Sequence, residues 1–238
     1  MENGLVQVED ETRCMGCFGC EEECPAGAIR VLRGPPGRAL EPEPTLDVAS
    51  CDVAVVGAGP AGLGTAIQAA RRGLDTVVLD RLPSREISHH PDGGVLFGIP
   101  GIVSLSVENG HLIFPELDLR LPAPFARRCE AFGLVGPEGI GTDNRFPIGV
   151  EGWTAPKDRL NKALADVAER EGARLWFDAP VADVLREDKR VSGVKLADGR
   201  SVRAGVTVAA DGVQAKFSRK AGMNVSLSDL WHASVISL

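Results

Sequence analysis

Residues 51–64 read CDVAVVGAGPAGLG. The first six positions are almost continuously apolar, as in a strand covered on both faces of a parallel sheet. The run breaks at Gly57, and Gly57-Ala58-Gly59-Pro60-Ala61-Gly62 is G-x-G-x-x-G. PAGLGTAIQAARRG, residues 60–73, then sets apolar residues at helical spacing and stops at Gly73, a residue suited to the left-handed end of a helix. LDTVVLD, residues 74–80, is a second buried strand. Together these make a βαβ unit with a right-handed crossover. In that setting each glycine has a physical role: Gly57 allows the tight turn, Gly59 lets backbone approach a pyrophosphate, and Gly62 allows close contact between helix and strand. Pro60 and Ala61 open a helix whose first N–H groups and positive dipole end face the phosphates. Asp80 closes the second strand 23 positions after Gly57, in place to hold ribose hydroxyls, with Arg81 beside it. The fold class is α/β, a Rossmann-like dinucleotide-binding domain.

The chain has 238 residues, 44% hydrophobic and 25% charged, which is a globular balance with room for one large domain or two small ones. Its net charge of −7 argues against a nucleic-acid partner and against a polybasic membrane anchor. A local basic pocket for a small anion stays compatible with that charge. No apolar run approaches the roughly 18 residues of a membrane span. MENGLVQVEDETR at the N-terminus is acidic and lacks an apolar core, so a secretory signal is not expected. The expectation is a cytoplasmic protein, with peripheral membrane contact left open.

Upstream of the βαβ unit, CMGCFGCEEECP at residues 14–25 holds four of the six cysteines. The spacing is C-x2-C-x2-C-x3-C-P, with Cys14, Cys17, Cys20 and Cys24 followed by Pro25. Two-residue gaps let consecutive thiolates turn around one corner of a cubane, and Gly16 and Gly19 let backbone amides reach the sulfides. A 4Fe-4S cluster is therefore expected. A zinc knuckle is the other reading, although zinc sites favour two separated C-x2-C pairs. In two-cluster ferredoxins the fourth cysteine of such a run serves the other cluster. Either Cys24 closes this cluster, or Cys51 does so from a distance, or a partner chain supplies the ligand. Cys51, at the mouth of the first strand, otherwise reads as structural, as does Cys129. Residues 1–33 thus form an iron–sulfur unit. The Pro- and Gly-rich GPPGRALEPEPTLDVAS, residues 34–50, is a linker, and residues 51–238 are the nucleotide-binding domain.

Residues 82–150 are dense in Gly and Pro and show no sustained period, which suggests irregular strands and loops over the cofactor. His89-His90 could serve a proton transfer, or be an ordinary solvated pair. TAPKDRLNKALADVAEREG predicts a helix with Thr154 as N-cap and an apolar stripe of Leu160, Ala163, Leu164, Val167 and Ala168. ARLWF and APVADVL are further strands, and RVSGVKL-ADG-RSVRA is a hairpin. The apolar VTVAADG follows, its Asp211-Gly212 being either a site or an ordinary turn.

VTVAADGVQAKFSRKAG, residues 206–222, resembles the second FAD fingerprint of the flavoprotein hydroxylases and geranylgeranyl reductases. The resemblance implies that Asp211 and Gly212 bind the ribityl chain. The preceding helix resembles that family's Arg-x-x-Phe-Asp-x-x-Leu helix, with Lys157 in place of Arg, Leu160 of Phe and Asn161 of Asp. APVADVL fits the strand whose first valine, here Val181, holds the adenine through its backbone. Asp92-Gly93-Gly94 lies where the family has a glycine-rich loop beside the isoalloxazine, so Gly93 and Gly94 join the site by resemblance. From Cys51 to about Met223 the chain is similar to the geranylgeranyl reductase family and to its relatives, the electron-transfer-flavoprotein:quinone oxidoreductases. The fold implied is of the glutathione-reductase/hydroxylase type. The cysteine run, including the tail AGAI, resembles half of a bacterial ferredoxin.

Family members carry a third FAD motif and a substrate domain that this sequence does not show. It is either a piece of a longer protein, or a second polypeptide completes the flavin site. The implied function is an FAD and iron–sulfur oxidoreductase. It would pass electrons from a ferredoxin or electron-transfer flavoprotein to an isoprenoid double bond or a quinone. A single G-x-G-x-x-G gives no support for a separate NAD(P)H domain. The other reading is an electron-transfer subunit without substrate chemistry of its own. No residue is identified as the catalytic acid.

Overall fold

The computed structural model describes residues 49–82, 95–135, 141–145, 151–212 and 215–223. All of them belong to one compact unit, Asp47–Leu238. Cys14, Cys17, Cys20 and Cys24, nearly all of the linker, and His89, His90, Gly93 and Gly94 lie outside the described residues.

Strand β1 (Ala49–Val56) begins two residues inside the expected linker and is buried over its last four positions. Helix α1 (Pro60–Arg71) follows the glycine turn and buries Gly62, Leu63, Ala66, Ile67 and Ala69. Arg72 caps it through its N–H, and Gly73 donates to the Ala70 carbonyl at 2.8 Å with φ +75°, the left-handed exit expected of that glycine. Strand β2 (Thr76–Leu79) is buried throughout and pairs parallel to β1, from Val53↔Thr76 to Val56↔Leu79. The predicted βαβ unit is present.

Helix α2 spans Lys157–Arg170, and its buried residues include all five of the predicted apolar stripe. Its start corrects the expectation for Thr154. That residue belongs to the strand Gly152–Thr154, and Pro156 holds the N-cap position with φ −56° and ψ 127°. The cause is steric: a residue before proline is driven away from the helical region, so Ala155 cannot open the helix. Leu160 N–H donates to the Pro156 carbonyl and closes the first turn.

Strands β3 (Arg174–Trp176), β4 (Val181–Glu187), β5 (Arg190–Leu196) and β6 (Ser201–Ala209) complete one six-stranded sheet in the order β3-β2-β1-β6-β5-β4. β3, β2, β1 and β6 run parallel; β5 pairs antiparallel with β6, and β4 antiparallel with β5. SVRAG and VTVA, read separately in the sequence, are one nine-residue strand. Its first residues close the predicted hairpin with β5, and nearly all of it pairs with β1. Alternation assigns the two faces. Val53, Val55 and Val78 pack with Leu63, Ile67, Leu164 and Ala168 under the helices. Ala54, Val56, Val77 and Leu79 pack with Val194, Leu196, Val202 and Phe217 on the other side. Each fully buried Val or Leu contributes about 1.5–3 kcal/mol relative to exposure.

Residues 95–145 are more regular than their composition suggests. Val95–Phe97, Gly152–Thr154 and Arg127–Cys129 form one three-stranded sheet. Ser106–Glu108, His111–Phe114 and Leu119–Pro122 form another. Asn109 (φ 50°) and Gly110 (φ 72°) make the two-residue turn between Glu108 and His111, the positive-φ pair that an Asn-Gly hairpin requires. Ala131–Val135 pairs with Gly141–Arg145.

Candidate functional site

The parallel strands end together at the glycine turn. Gly57 has φ +108°, and a Cβ there would overlap the Ala210 carbonyl oxygen. A Cβ on Gly62 would overlap the Gly57 carbonyl oxygen and sit 3.3 Å from the Ala210 Cβ. These two glycines are therefore demanded by the protein's own packing: they let β1, α1 and the end of β6 meet. Gly59 is different. It is the N-cap of α1, with φ −76° and ψ 179°, and a Cβ added to it meets nothing within 4 Å. No side chain caps this helix start, and Pro60 follows it directly. Leu63 N–H returns to the Gly59 carbonyl at 2.9 Å, so the first-turn amides before it have no intrahelical acceptor. The result is an open cradle of N–H donors at a positive dipole end, suited to a pyrophosphate.

Asp80 closes the adjoining strand as expected. Its Oδ2 accepts the Ala58 N–H at 2.5 Å and its Oδ1 accepts the Leu82 N–H at 2.8 Å. Its own N–H donates to the Trp176 carbonyl, and its carbonyl accepts the Ala179 N–H at 2.8 Å. The half-buried carboxylate thus lies on the glycine loop. The chain leading to Val181 runs beside it, with Val181 itself half-buried opposite Leu196. Arg81 follows in a bend. Gly57, Gly59, Pro60, Ala61, Gly62, Asp80 and the approach to Val181 are brought together.

Asp211 and Gly212 also reach this edge, since Ala210 packs on Gly57 and Gly62. Gly212 takes φ +77°. The Asp211 carboxylate holds a short helix, α3 (Lys216–Lys220): Oδ2 accepts the Phe217 N–H at 2.7 Å and the Ser218 N–H at 3.3 Å, and Oδ1 accepts the Ser218 hydroxyl at 2.7 Å. This anchoring role was not anticipated; Ser218, placed to donate twice, is its only trace in the sequence.

Lys157 is half-buried at the first position of α2. Two nearby positions in sequence carry buried polar atoms without a hydrogen-bond partner, Asn161 Oδ1 one turn along α2 and Trp153 Nε1 in the strand before it. Unsatisfied buried polar atoms are costly in a finished protein and point to a missing partner. Trp153 had no distinguishing signal beyond its residue type. A shallow hollow of about 260 Å³ between Pro122, Phe125, Arg159 and Arg170 lies on the outer face of α2 and shares no residue with the cradle.

Cys51 sits at the opposite end of β1 from the glycine turn. Its thiol donates to the Arg203 carbonyl at 3.5 Å and is pushed up to about 11, first by burial and then by the Asp75 carboxylate. Cys129 donates to the Ala131 carbonyl at 3.0 Å. Both have the setting of structural thiols. Among the described residues no group of His, Cys, Asp and Glu could hold a metal ion. No described helix is long and apolar enough to cross a membrane, which concerns helices alone.

Residues 52–131 match the family described as FAD dependent oxidoreductase. The digeranylgeranylglycerophospholipid reductase of Picrophilus torridus is 31% identical over 176 residues, covering 72% of this chain and 42% of that protein. The Escherichia coli protein named "Probable electron transfer flavoprotein-quinone oxidoreductase" is 31% identical over 180 residues, covering 73% of this chain and 38% of its own length. A solved structure of a geranylgeranyl bacteriochlorophyll reductase-like protein from Thermoplasma acidophilum superposes with TM-score 0.58 at 27% identity, over 74% of this chain and 43% of that one. The chain spans about two-fifths of the length of the relatives it matches. The open cradle of amides at Gly59 and the Asp80 carboxylate beside it fit the pyrophosphate and ribose of FAD.

Proposed function

We propose that this chain, which is similar to the geranylgeranyl reductase-like FAD-dependent oxidoreductases, joins FAD to a 4Fe-4S cluster and delivers electrons to a lipid-soluble acceptor. The observation that carries the flavin half is the contrast at the glycine turn: Gly57 and Gly62 are filled by the protein, while Gly59 faces open space. Gly59 and the first amides of α1 would hold the pyrophosphate, Asp80 the ribose hydroxyls, and the Val181 backbone the adenine. Asp211 and Gly212 would face the ribityl chain. Lys157, Gly93 and Gly94 would face the flavin ring. FAD, when bound, supplies the capacity to take and give electrons in pairs. The chain's residues would bind and orient it.

The cluster is supported by the spacing of Cys14, Cys17, Cys20 and Cys24, which lie outside the described residues. A single-electron centre suits a ferredoxin or electron-transfer flavoprotein as donor. For the acceptor, the relatives' names speak of a digeranylgeranyl lipid and of a quinone. We place the isoprenoid double bond first. Saturating one such bond takes two electrons and two protons, so a one-electron donor must deliver twice. Cytoplasmic residence with peripheral access to lipid belongs to the same reading. The second reading is a subunit that relays electrons and leaves the acceptor to another polypeptide.

The test is anaerobic purification with iron, acid-labile sulfide and flavin measured on one sample. About four iron and four sulfide per chain with one FAD support the proposal, and Cys17→Ser should abolish the iron. Zinc in place of iron would overturn the cluster. Reoxidation of the reduced protein by a polyprenyl lipid or a quinone, only after a second polypeptide is added, would establish the relay reading.

A further inference from the structure

Strand β4 is irregular at its first residues. Val181 stands opposite Leu196 and Asp183 opposite Lys195, which leaves Ala182 as the extra residue of a bulge. A bulge bends its strand and re-aims the backbone at that point. β4 is the last strand of the sheet, so the bend is not held from both sides by a ladder. Side chains hold it instead. Asp183 Oδ1 accepts the Val184 N–H at 2.8 Å, and the Ala182 carbonyl accepts a hydrogen bond from the Lys220 ammonium.

Lys220 is the last residue of α3. A helix of five residues is far too short to hold together alone, and this one is fastened at both ends. At its start the Asp211 carboxylate takes the Phe217 and Ser218 N–H groups. At its end Arg186, from β4, donates to the Lys220 carbonyl at 2.9 Å. An anion at the first turn and a cation at the last match the helix dipole. Met223 N–H returns to the Ser218 carbonyl and Gly222 N–H to the Arg219 carbonyl, with Gly222 at φ +89°, so the helix stops just beyond Lys220. Phe217, 5% exposed, seats the turn on the apolar face of Val56, Leu79 and Leu196, against which Val181 also packs. Ala215, at the head of α3, takes φ +47°, a conformation costly for alanine. Such strain persists only where the surroundings fix the backbone.

We propose that Lys220 is a positioning residue for the adenine end of FAD: it fixes the bulge at Ala182 so that the backbone of Val181 is presented to the ring. The inference rests on the FAD reading, in which Val181 holds the adenine. The contacts form one chain across that site. Asp211, at the ribityl end, holds the start of α3; the end of α3 carries Lys220; and Lys220 holds Ala182. Without the ammonium the bulge can migrate along β4, and a shift of one residue turns Val181 to the other face.

The test titrates the full chain, Lys220→Met and Lys220→Arg with ADP and with FAD, and follows hydrogen exchange over Val181–Glu187 without ligand. Methionine keeps the length of the side chain and removes its charge and its donor. Lys220→Met should weaken ADP and FAD by the same factor, about tenfold, the scale of one charge-assisted hydrogen bond. The factor is shared because only the adenine half, common to both ligands, is touched. Exchange over Val181–Glu187 should rise in the same variant, and Lys220→Arg, which still donates, should restore both readouts. Unchanged ADP binding in Lys220→Met overturns the proposal, as does a loss confined to FAD or a failure of Lys220→Arg to rescue. If the parent binds FAD and Lys220→Met binds it equally, only the role of Lys220 falls. If the parent binds neither ADP nor FAD, the cofactor reading falls and takes the proposal with it.

Discussion

Gly59→Ala and Gly62→Ala separate what the glycine turn does for the protein from what it does for its ligand. At Gly62 an added methyl must displace the Gly57 carbonyl and press on Ala210, both held by packing. Overpacking of this kind costs about 1–3 kcal/mol. For a domain of this size that lowers Tm by about 2–12 °C. At Gly59 the methyl meets no protein atom within 4 Å, and φ −76° with ψ 179° is open to alanine. The small loss of N-cap preference opposes the gain from a less flexible unfolded chain, each a few tenths to about 1 kcal/mol, so Tm should hardly move. FAD binding should move a great deal, because the methyl stands where the pyrophosphate approaches. Loss of one hydrogen bond to a charged group costs about 1.5–3 kcal/mol, or roughly one to two orders of magnitude in Kd. Scanning fluorimetry of the flavin-free protein and flavin titration read the two effects separately. If Gly59→Ala binds FAD within twofold of the parent, or melts as early as Gly62→Ala, the division between packed and open glycines is wrong.

Asp80→Ala should weaken FAD binding about tenfold or more by loss of a charged acceptor, seen in the same titration; undiminished occupancy would leave the carboxylate to the Ala58 and Leu82 amides. Asp211→Ala should cost about 1–2 kcal/mol by releasing the start of α3, seen as a lower Tm without ligand; an unchanged Tm would refute the anchoring role. Cys51 holds its proton more tightly when folded, with a pKa of about 11 against 9.0. Its contribution is therefore intact below pH 9 and is lost as pH rises toward 11. Over that window the parent should lose more Tm than Cys51→Ala, and at neutral pH iodoacetamide should label this thiol far more slowly in the folded chain than in urea.

The parts of this fold legible in the sequence are those where one short period settles the matter. The apolar run Val53–Val56, the glycine spacing and the stop at Gly73 allow one reading only, and it is the one found. The stripe from Leu160 to Ala168 is equally plain. The start of α2 was misjudged because Thr154 offers a capping hydroxyl while Pro156 forbids Ala155 the helical conformation, and sterics prevail. The strands between Val95 and Arg145 run three to five residues, too short for a period to show. Ser201–Ala209 looked like two pieces because Gly205 interrupts it, and only pairing with β1 makes it continuous. At the site, the phosphate cradle and Asp80 were legible because local backbone geometry defines them. The hold of Asp211 on Ser218 and the orphaned atoms of Trp153 and Asn161 depend on distant packing that no local pattern encodes. The resemblance is borne out at the level of a geranylgeranyl reductase-like FAD-dependent oxidoreductase.

β1 and its parallel neighbour β6 lie about 150 residues apart in the chain. During synthesis at about 5–20 residues per second, β1 therefore waits some 8–30 s for the strand that covers its second edge. The βαβ segment can close early, since its contacts are local, but it closes with a row of valines and unpaired amides facing outward. That interval is the hazard of this topology: slow, non-local pairing in a chain that already displays a sticky template. The folding rate should be governed by the arrival of residues 202–209, and a holdase chaperone should bind the nascent chain most strongly before they emerge.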